Sequence, residues 1–124
     1  HFLQNSWLFG ENVSSPLLHT IANEMQTIML TQNNLLEGID EKCVVVIKHG
    51  NLYLCSEEER IEGFKEGDFV CGVFIKKALS HNYHLMHDPH PSLLIISADS
   101  IKNVPIVAWK LVESNEKRFR LFNL

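Results

Sequence analysis

Residues 43–72 read CVVVIKHGNLYLCSEEERIEGFKEGDFVCG, four strand-like pieces separated by three turns. The first piece, 44–47, is an unbroken apolar run, which Lys48-His49-Gly50-Asn51 ends with turn residues. Leu52-Tyr53-Leu54-Cys55 follows as a second run. Two short runs of β-branched or aromatic residues joined by such a turn predict a β-hairpin. Next come a charged loop at 56–60 and the alternating piece Ile61-Glu62-Gly63-Phe64. Lys65-Glu66-Gly67-Asp68 has the composition of a tight turn, with Gly67 free to take positive φ, and it delivers Phe69 and Val70 into a further strand. Strands joined so often by glycine turns are the pattern of a β-barrel or jelly roll.

On either side of these strands the signals are mostly helical. Upstream, Phe2, Leu3, Trp7 and Leu8 recur at helical spacing until Phe9-Gly10 ends the pattern. Ser14-Ser15-Pro16 opens a new helix, with a serine cap and proline in the first turn, and Leu17, Leu18, Ile21, Ala22 and Met25 form its apolar face. Residues 27–36 are expected to give two short strands about a turn at Gln32-Asn33-Asn34. Downstream, 73–79 fits one or two helical turns, 82–87 a strand, Asp88-Pro89-His90-Pro91 a turn, and 92–97 a strong strand. Ser97 or Asp99 then caps a helix. Pro105 either kinks that helix or opens a second one over 106–113, with Val107, Trp109 and Leu111 available for packing. The last segment, 116–124, alternates charge with bulk, as an edge strand or a partly exposed helix would. Helices, an antiparallel jelly-roll-like β-roll, then helices again make an α+β domain.

The chain has 124 residues, 45% hydrophobic and 21% charged, which suits one globular domain spanning 1–124. Its first residue is His1, so the domain is expected to be a piece of a longer protein. No apolar run approaches the roughly 20 residues of a transmembrane helix. Between Glu57 and Asp68 six acids face only Arg60 and Lys65, so this region alone carries a charge equal to the chain's net −4. A solvated face explains such a run. The only dense cationic stretch is Lys117-Arg118-x-Arg120, which is no basic stripe for nucleic acid. Cys43, Cys55 and Cys71 are odd in number and lack C-x-x-C spacing, so they read as reduced thiols in apolar strands.

The order of strand, glycine turn, strand, charged loop and x-x-G-D-F-x-x-G resembles the cyclic nucleotide-binding domain. The matching residues are Ile47, Gly50, Leu52, Gly67, Asp68, Phe69 and Gly72. The resemblance implies a phosphate cassette after the G-D-F turn, where a short helix offers backbone N–H groups to a cyclic phosphate. In the family a Glu directly after the cassette glycine holds the ribose, and an Arg about ten residues on pairs with the phosphate. Here Gly72 matches the glycine, Val73 stands at the Glu position and His81 stands near the Arg position. No arginine occurs between Arg60 and Arg118, which leaves Lys76 and Lys77 as the fixed cations of the cassette. Gly72, Val73, Phe74, Lys76, Lys77 and His81 are therefore the pocket candidates. Each missing charge-assisted hydrogen bond forfeits ~1.5–3 kcal/mol, which argues against micromolar binding of cAMP or cGMP. In binding-homology domains of ether-à-go-go-type potassium channels, a C-terminal strand containing Phe-Asn-Leu fills the pocket as an intrinsic ligand. This chain ends in Phe122-Asn123-Leu124, which is either such a ligand or an ordinary amphipathic terminus. Sperm-type sodium/proton exchangers carry a domain of the same kind.

Two other classes of function compete with this resemblance. The series His81-x-x-His84-x-x-His87-x-x-His90 would share a face on a helix, but Pro89 and Pro91 break any helix there. On a strand, a spacing of three sends successive histidines to opposite faces, and only His81 and His87 share one, too few for a metal site. Were His81 to face the pocket, its protonation would make anion affinity pH-dependent. No nucleophile elbow, P-loop or paired carboxylate is present, and the central strands lack the His and Glu set of a cupin, so no enzyme is expected. The expectation is a cytoplasmic regulatory domain of an ion channel or transporter that couples pocket occupancy to a C-terminal helix starting near Asp99. Its partner is then the rest of the parent chain, with homo-oligomers left open. The alternative is a non-sensing interaction module that retains the roll.

Overall fold

The computed structural model describes residues 2–10, 13–31, 36, 39–57 and 59–124. Seven strands and three α-helices are assigned: α1 (Ser15–Glu24), β1 (Gln26–Met29), β2 (Cys43–His49), β3 (Leu52–Ser56), β4 (Glu59–Phe64), β5 (Phe69–Cys71), α2 (Gly72–Ser80), β6 (Tyr83–His87), β7 (Ser92–Ser97) and α3 (Pro105–Leu121). The strands form two antiparallel sheets, β1-β7-β2-β5 and β4-β3-β6. Helices thus flank an antiparallel β-roll, the α+β architecture expected from the sequence.

Burial explains why 44–47 does not alternate. Val45 and Ile47 point into the roll, where they meet Leu52, Leu54, Phe64, Val70, Phe74, Leu85 and Leu93. Val44 and Val46 point to the opposite face, against Leu8, Phe9, Leu18 and Ile21 of the N-terminal segment and Val107 and Leu111 of α3. A strand covered on both faces reads as a continuous apolar run. The three-stranded sheet is covered on one face only. Leu52 and Leu54 face inward, whereas β4 is exposed except at Phe64.

The expected hairpin between 44–47 and 52–55 does not form. Strand β2 pairs with β5 and β7, whereas β3 pairs with β4 and β6, so the turn at Gly50 is a corner that carries the chain from one sheet to the other. Gly50 has φ +84°, and a Cβ there would lie 2.9 Å from the Pro91 side chain, so both backbone and space require glycine. The hairpin is instead β3–β4, and β4 takes in Glu59 and Arg60 from the expected charged loop. The turn at 65–68 forms as expected, with Gly67 at φ +91° and the Asp68 carboxylate accepting from the Lys65 amide at 2.9 Å.

Helix boundaries shifted in two places. Asp99 lies in a 3-10 turn, Ala98–Ser100, where Ser97 Oγ accepts from the Asp99 amide, and the C-terminal helix starts only at Pro105. That helix then continues through 116–121, which settles the terminal segment as helix. Ser14 holds the N-cap position of α1 without a side-chain capping bond. Of the two strands expected in 27–36, β1 is present, while the asparagine turn and Leu35 lie outside the described residues.

Candidate functional site

Helix α2 is the segment on which the cassette candidates lie. It starts directly from β5, with Cys71 in an extended N-cap conformation that makes no side-chain capping bond. Gly72 is required by close approach: a Cβ there would lie 2.2 Å from the Asp40 carbonyl oxygen and 3.2 Å from that of Cys43. Helical periodicity then sends Phe74, Ile75 and Ala78 into the roll interior.

The six pocket candidates do not converge. Phe74 alone is buried in the roll interior. Val73 packs on the outer side and lines a groove of about 250 Å³ with Cys71, Leu111, Val112 and Asn115. The Lys77 ammonium is exposed and sits 5.6 Å from the centre of the Phe119 ring, while the Lys76 side chain is half-buried. His81 is the C-cap of α2, exposed, with Nδ1 2.8 Å from the Lys77 carbonyl oxygen and 3.2 Å from Ser80 Oγ. It closes the C-terminal end of the helix, opposite the Gly72 end. It does not share a strand face with His87, because β6 begins at Tyr83.

The remaining histidines are separated as a strand requires. His84 pairs with Cys55 and His87 with the inward-facing Leu52. His87 Nδ1 lies 2.6 Å from the Asp88 carbonyl oxygen, and its Nε2 is buried with no partner. His90 sits in a left-handed conformation in the loop. Among the described residues no group of three or more His, Cys, Asp or Glu side chains is placed to hold a metal ion.

The C-terminal residues are the unexpected part of the site. Phe122-Asn123-Leu124 is not a strand but the cap of α3. Asn123 takes φ +54°, its amide donates to the Arg120 carbonyl at 3.3 Å, and the Leu124 amide reaches back to Phe119 at 2.8 Å. These two bonds and a left-handed residue make a Schellman motif. The cap aims Phe122 into the end of the roll. Its ring lies 5.8 Å from that of Phe74 and meets Tyr83 edge-on, also at 5.8 Å, while Phe119 stacks on Phe74 at 6.1 Å. Phe122 is 9% exposed and belongs to the roll's core.

Arg118, one turn before Phe122, went unnoticed as a site residue in the sequence. Its guanidinium lies 5.1, 5.2 and 5.8 Å from the ring centres of Phe64, Phe69 and Phe74. Burial lowers its pKa from the ordinary value, opposed by the Cys71 thiol and the carboxylates of Glu62 and Asp68. Burial raises the Cys71 thiol, opposed by hydrogen bonding from the Asn115 side chain and by the Arg118 charge. Asn115 Oδ1 and Arg118 Nη1 are both buried without partners. The available signal was spacing: 115, 118, 119 and 122 follow i, i+3, i+4, i+7, one face of a helix.

Trp7 stacks on Phe69 at 5.9 Å, and the Lys110 ammonium sits 4.8 Å from the centre of the indole while donating to the Trp7 carbonyl. Lys110 and Arg118 of α3 thereby grip the N-terminal segment and the β5–α2 junction together. No helix among the described residues is long and apolar enough to cross a membrane.

Neither a protein-family model nor a curated protein sequence matches the chain. Solved structures do. The chain is similar to the catabolite activator protein of Thermus thermophilus at 14% identity and a TM-score of 0.66, covering 94% of this chain and 59% of that one. It is similar to the regulatory subunit of a cAMP-independent protein kinase A from Trypanosoma brucei at 12% identity and a TM-score of 0.73, covering 98% and 48%. A third is the C-linker and binding-homology domain of zELK channels, crystallised in the presence of cAMP, at 15% identity and a TM-score of 0.57, covering 96% and 60%. In each case the chain spans about half to three fifths of the similar protein's length.

Proposed function

With the fold that of a cyclic nucleotide-binding domain, we propose that this chain is a non-catalytic regulatory domain whose roll is closed by its own C-terminal cap. Its output is movement of α3. The observation that carries this reading is Phe122, buried against Phe74 of the cassette helix and Tyr83 of β6. A ligand that enters beside α2 must displace Phe122, and that displacement releases the end of α3. Occupancy shifts the helix only in so far as the ligand binds the released state better. The parent is a channel or sodium/proton exchanger in which the domain lies on the cytoplasmic side, a context supported by the resemblance in the sequence and by the similarity to a channel domain. The similar Trypanosoma brucei kinase is described as cAMP-independent, which fits a roll not held open for cAMP.

Calorimetric titration with cAMP and cGMP tests this on three proteins: the intact chain, Phe122→Ala, and a version ending at Arg120. The expected result is no saturable binding to the intact chain and binding to the other two. Tight binding to the intact chain would refute the self-closed roll. Silence from all three favours the second reading, an assembly module without a ligand. Trp109 and Val112 support that reading, because they leave an apolar stripe on the outer face of α3, each 58% exposed.

A further inference from the structure

Arg118 has one guanidinium nitrogen that no described residue satisfies, although the Glu62 and Asp68 carboxylates favour its charge. Its Nη1 is fully buried and without a hydrogen-bond partner. None of the ion pairs among the described residues includes it. Three aromatic faces surround the guanidinium and offset part of the cost of burial, but a ring accepts no directed hydrogen bond from the outer N–H groups. Two further features meet at the same place. Asn115, one turn earlier on the same face of α3, has a buried Oδ1 with no donor. Cys71, which Asn115 and Arg118 both approach, starts α2 without a side-chain cap. A half-buried cation with one sealed and unbonded nitrogen, a buried acceptor without a donor and an uncapped helix start thus share one junction.

We infer that Arg118 is the anion-reading residue of this domain, supplied by the C-terminal helix in place of the arginine that the cassette lacks. The inference rests on the reading that the ligand enters beside α2. The ligand class is a small phosphate ester with a hydroxyl nearby: the phosphate pairs with the planar fork of Arg118, and the hydroxyl donates to Asn115 Oδ1. Nη1 is sealed in the present arrangement, so a phosphate reaches it only after the last turns of α3 shift. Recognition and output then reside in one side chain. The anion binds the shifted helix better than the docked one, and that difference moves the population.

Thermal unfolding of the whole chain, in sodium phosphate and in sodium chloride of equal ionic strength, reads the anion site without a nucleotide. The proteins compared are the parent, Arg118→Met and Arg118→Lys, each also carrying Phe122→Ala. Phosphate should raise the midpoint of the Phe122→Ala protein, and Arg118→Met should abolish the rise. Arg118→Lys should keep only part of it. Arg118→Met itself should fold, since an apolar side chain of similar length packs against the same three rings and leaves no unbonded buried N–H. In the same background cAMP should bind roughly 10- to 100-fold more weakly once Arg118 is Met, as loss of a charge-assisted bond implies, while uncharged adenosine should not distinguish the two. Phosphate protection that depends on Arg118 without any cAMP binding would keep the anion site and refute the nucleotide reading. Equal phosphate response and equal cAMP affinity with and without Arg118, or no response to either anion, would overturn the inference.

Discussion

At the scale of single residues, the chain spends its constraints where backbones meet. Gly72 is the clearest case, because any side chain would be driven into the Asp40 carbonyl oxygen, 2.2 Å from its Cβ. Backbone, unlike a flexible side-chain tip, cannot step aside cheaply. Gly72→Ala should therefore destabilise the fold by about 1–3 kcal/mol, the range for overpacking, seen as a lower urea midpoint at unchanged slope. Asp88 is a second case. Its carboxylate accepts from Asn51 Nδ2 at 2.7 Å and from the Tyr53 hydroxyl at 3.1 Å, and these bonds hold its pKa below the ordinary 3.8. A depressed carboxylate contributes stability above its unfolded pKa, and that contribution disappears as pH falls through the lower folded value. Asp88→Asn should lose stability at pH 6 and little at pH 2, and chemical denaturation at both pH values measures the difference.

At the scale of elements, the end of α3 decides where the aromatic side chains go. Asn123 allows the left-handed turn that closes the Schellman cap, and the cap sets the direction of Phe122. A β-branched residue resists that conformation by ~1–2 kcal/mol, whereas glycine accepts it freely. Asn123→Gly should thus leave stability nearly unchanged. Asn123→Val should cost about 1 kcal/mol and, by loosening Phe122, speed hydrogen exchange in the last turn of α3. Equal exchange in the two variants would show that Phe122 holds its place without the cap. The sequence pattern at 116–124 left strand and helix both open, because bulky residues at 119, 121 and 122 satisfy either period over so short a span. Continuity with 105–115 resolved it, since Leu111, Arg118 and Phe122 all turn inward only on one unbroken helix.

At the scale of the molecule, α3 is the strap that joins the parts. Lys110 holds Trp7, Trp7 stacks on Phe69, and Arg118 lies over Phe69, Phe64 and Phe74. A shift of α3 must disturb the N-terminal segment, α2 and the end of the roll together. The sequence by itself determined the local matters: strand-like runs at 44–47, 52–55 and 92–97, helical turns within 73–79, and turns at Gly50 and Gly67. Those follow from periodicity and turn chemistry within a few residues of each other. Only the tertiary structure decided that β2 and β3 belong to different sheets, that His81 caps the C-terminal end of α2, and that Arg118 and Phe122 come to Phe74. The physical reason is distance along the chain. Arg118 and Phe122 reach α2 only because both faces of β2 must be buried, and the packing of α3 that covers one of those faces is set by contacts no local pattern contains.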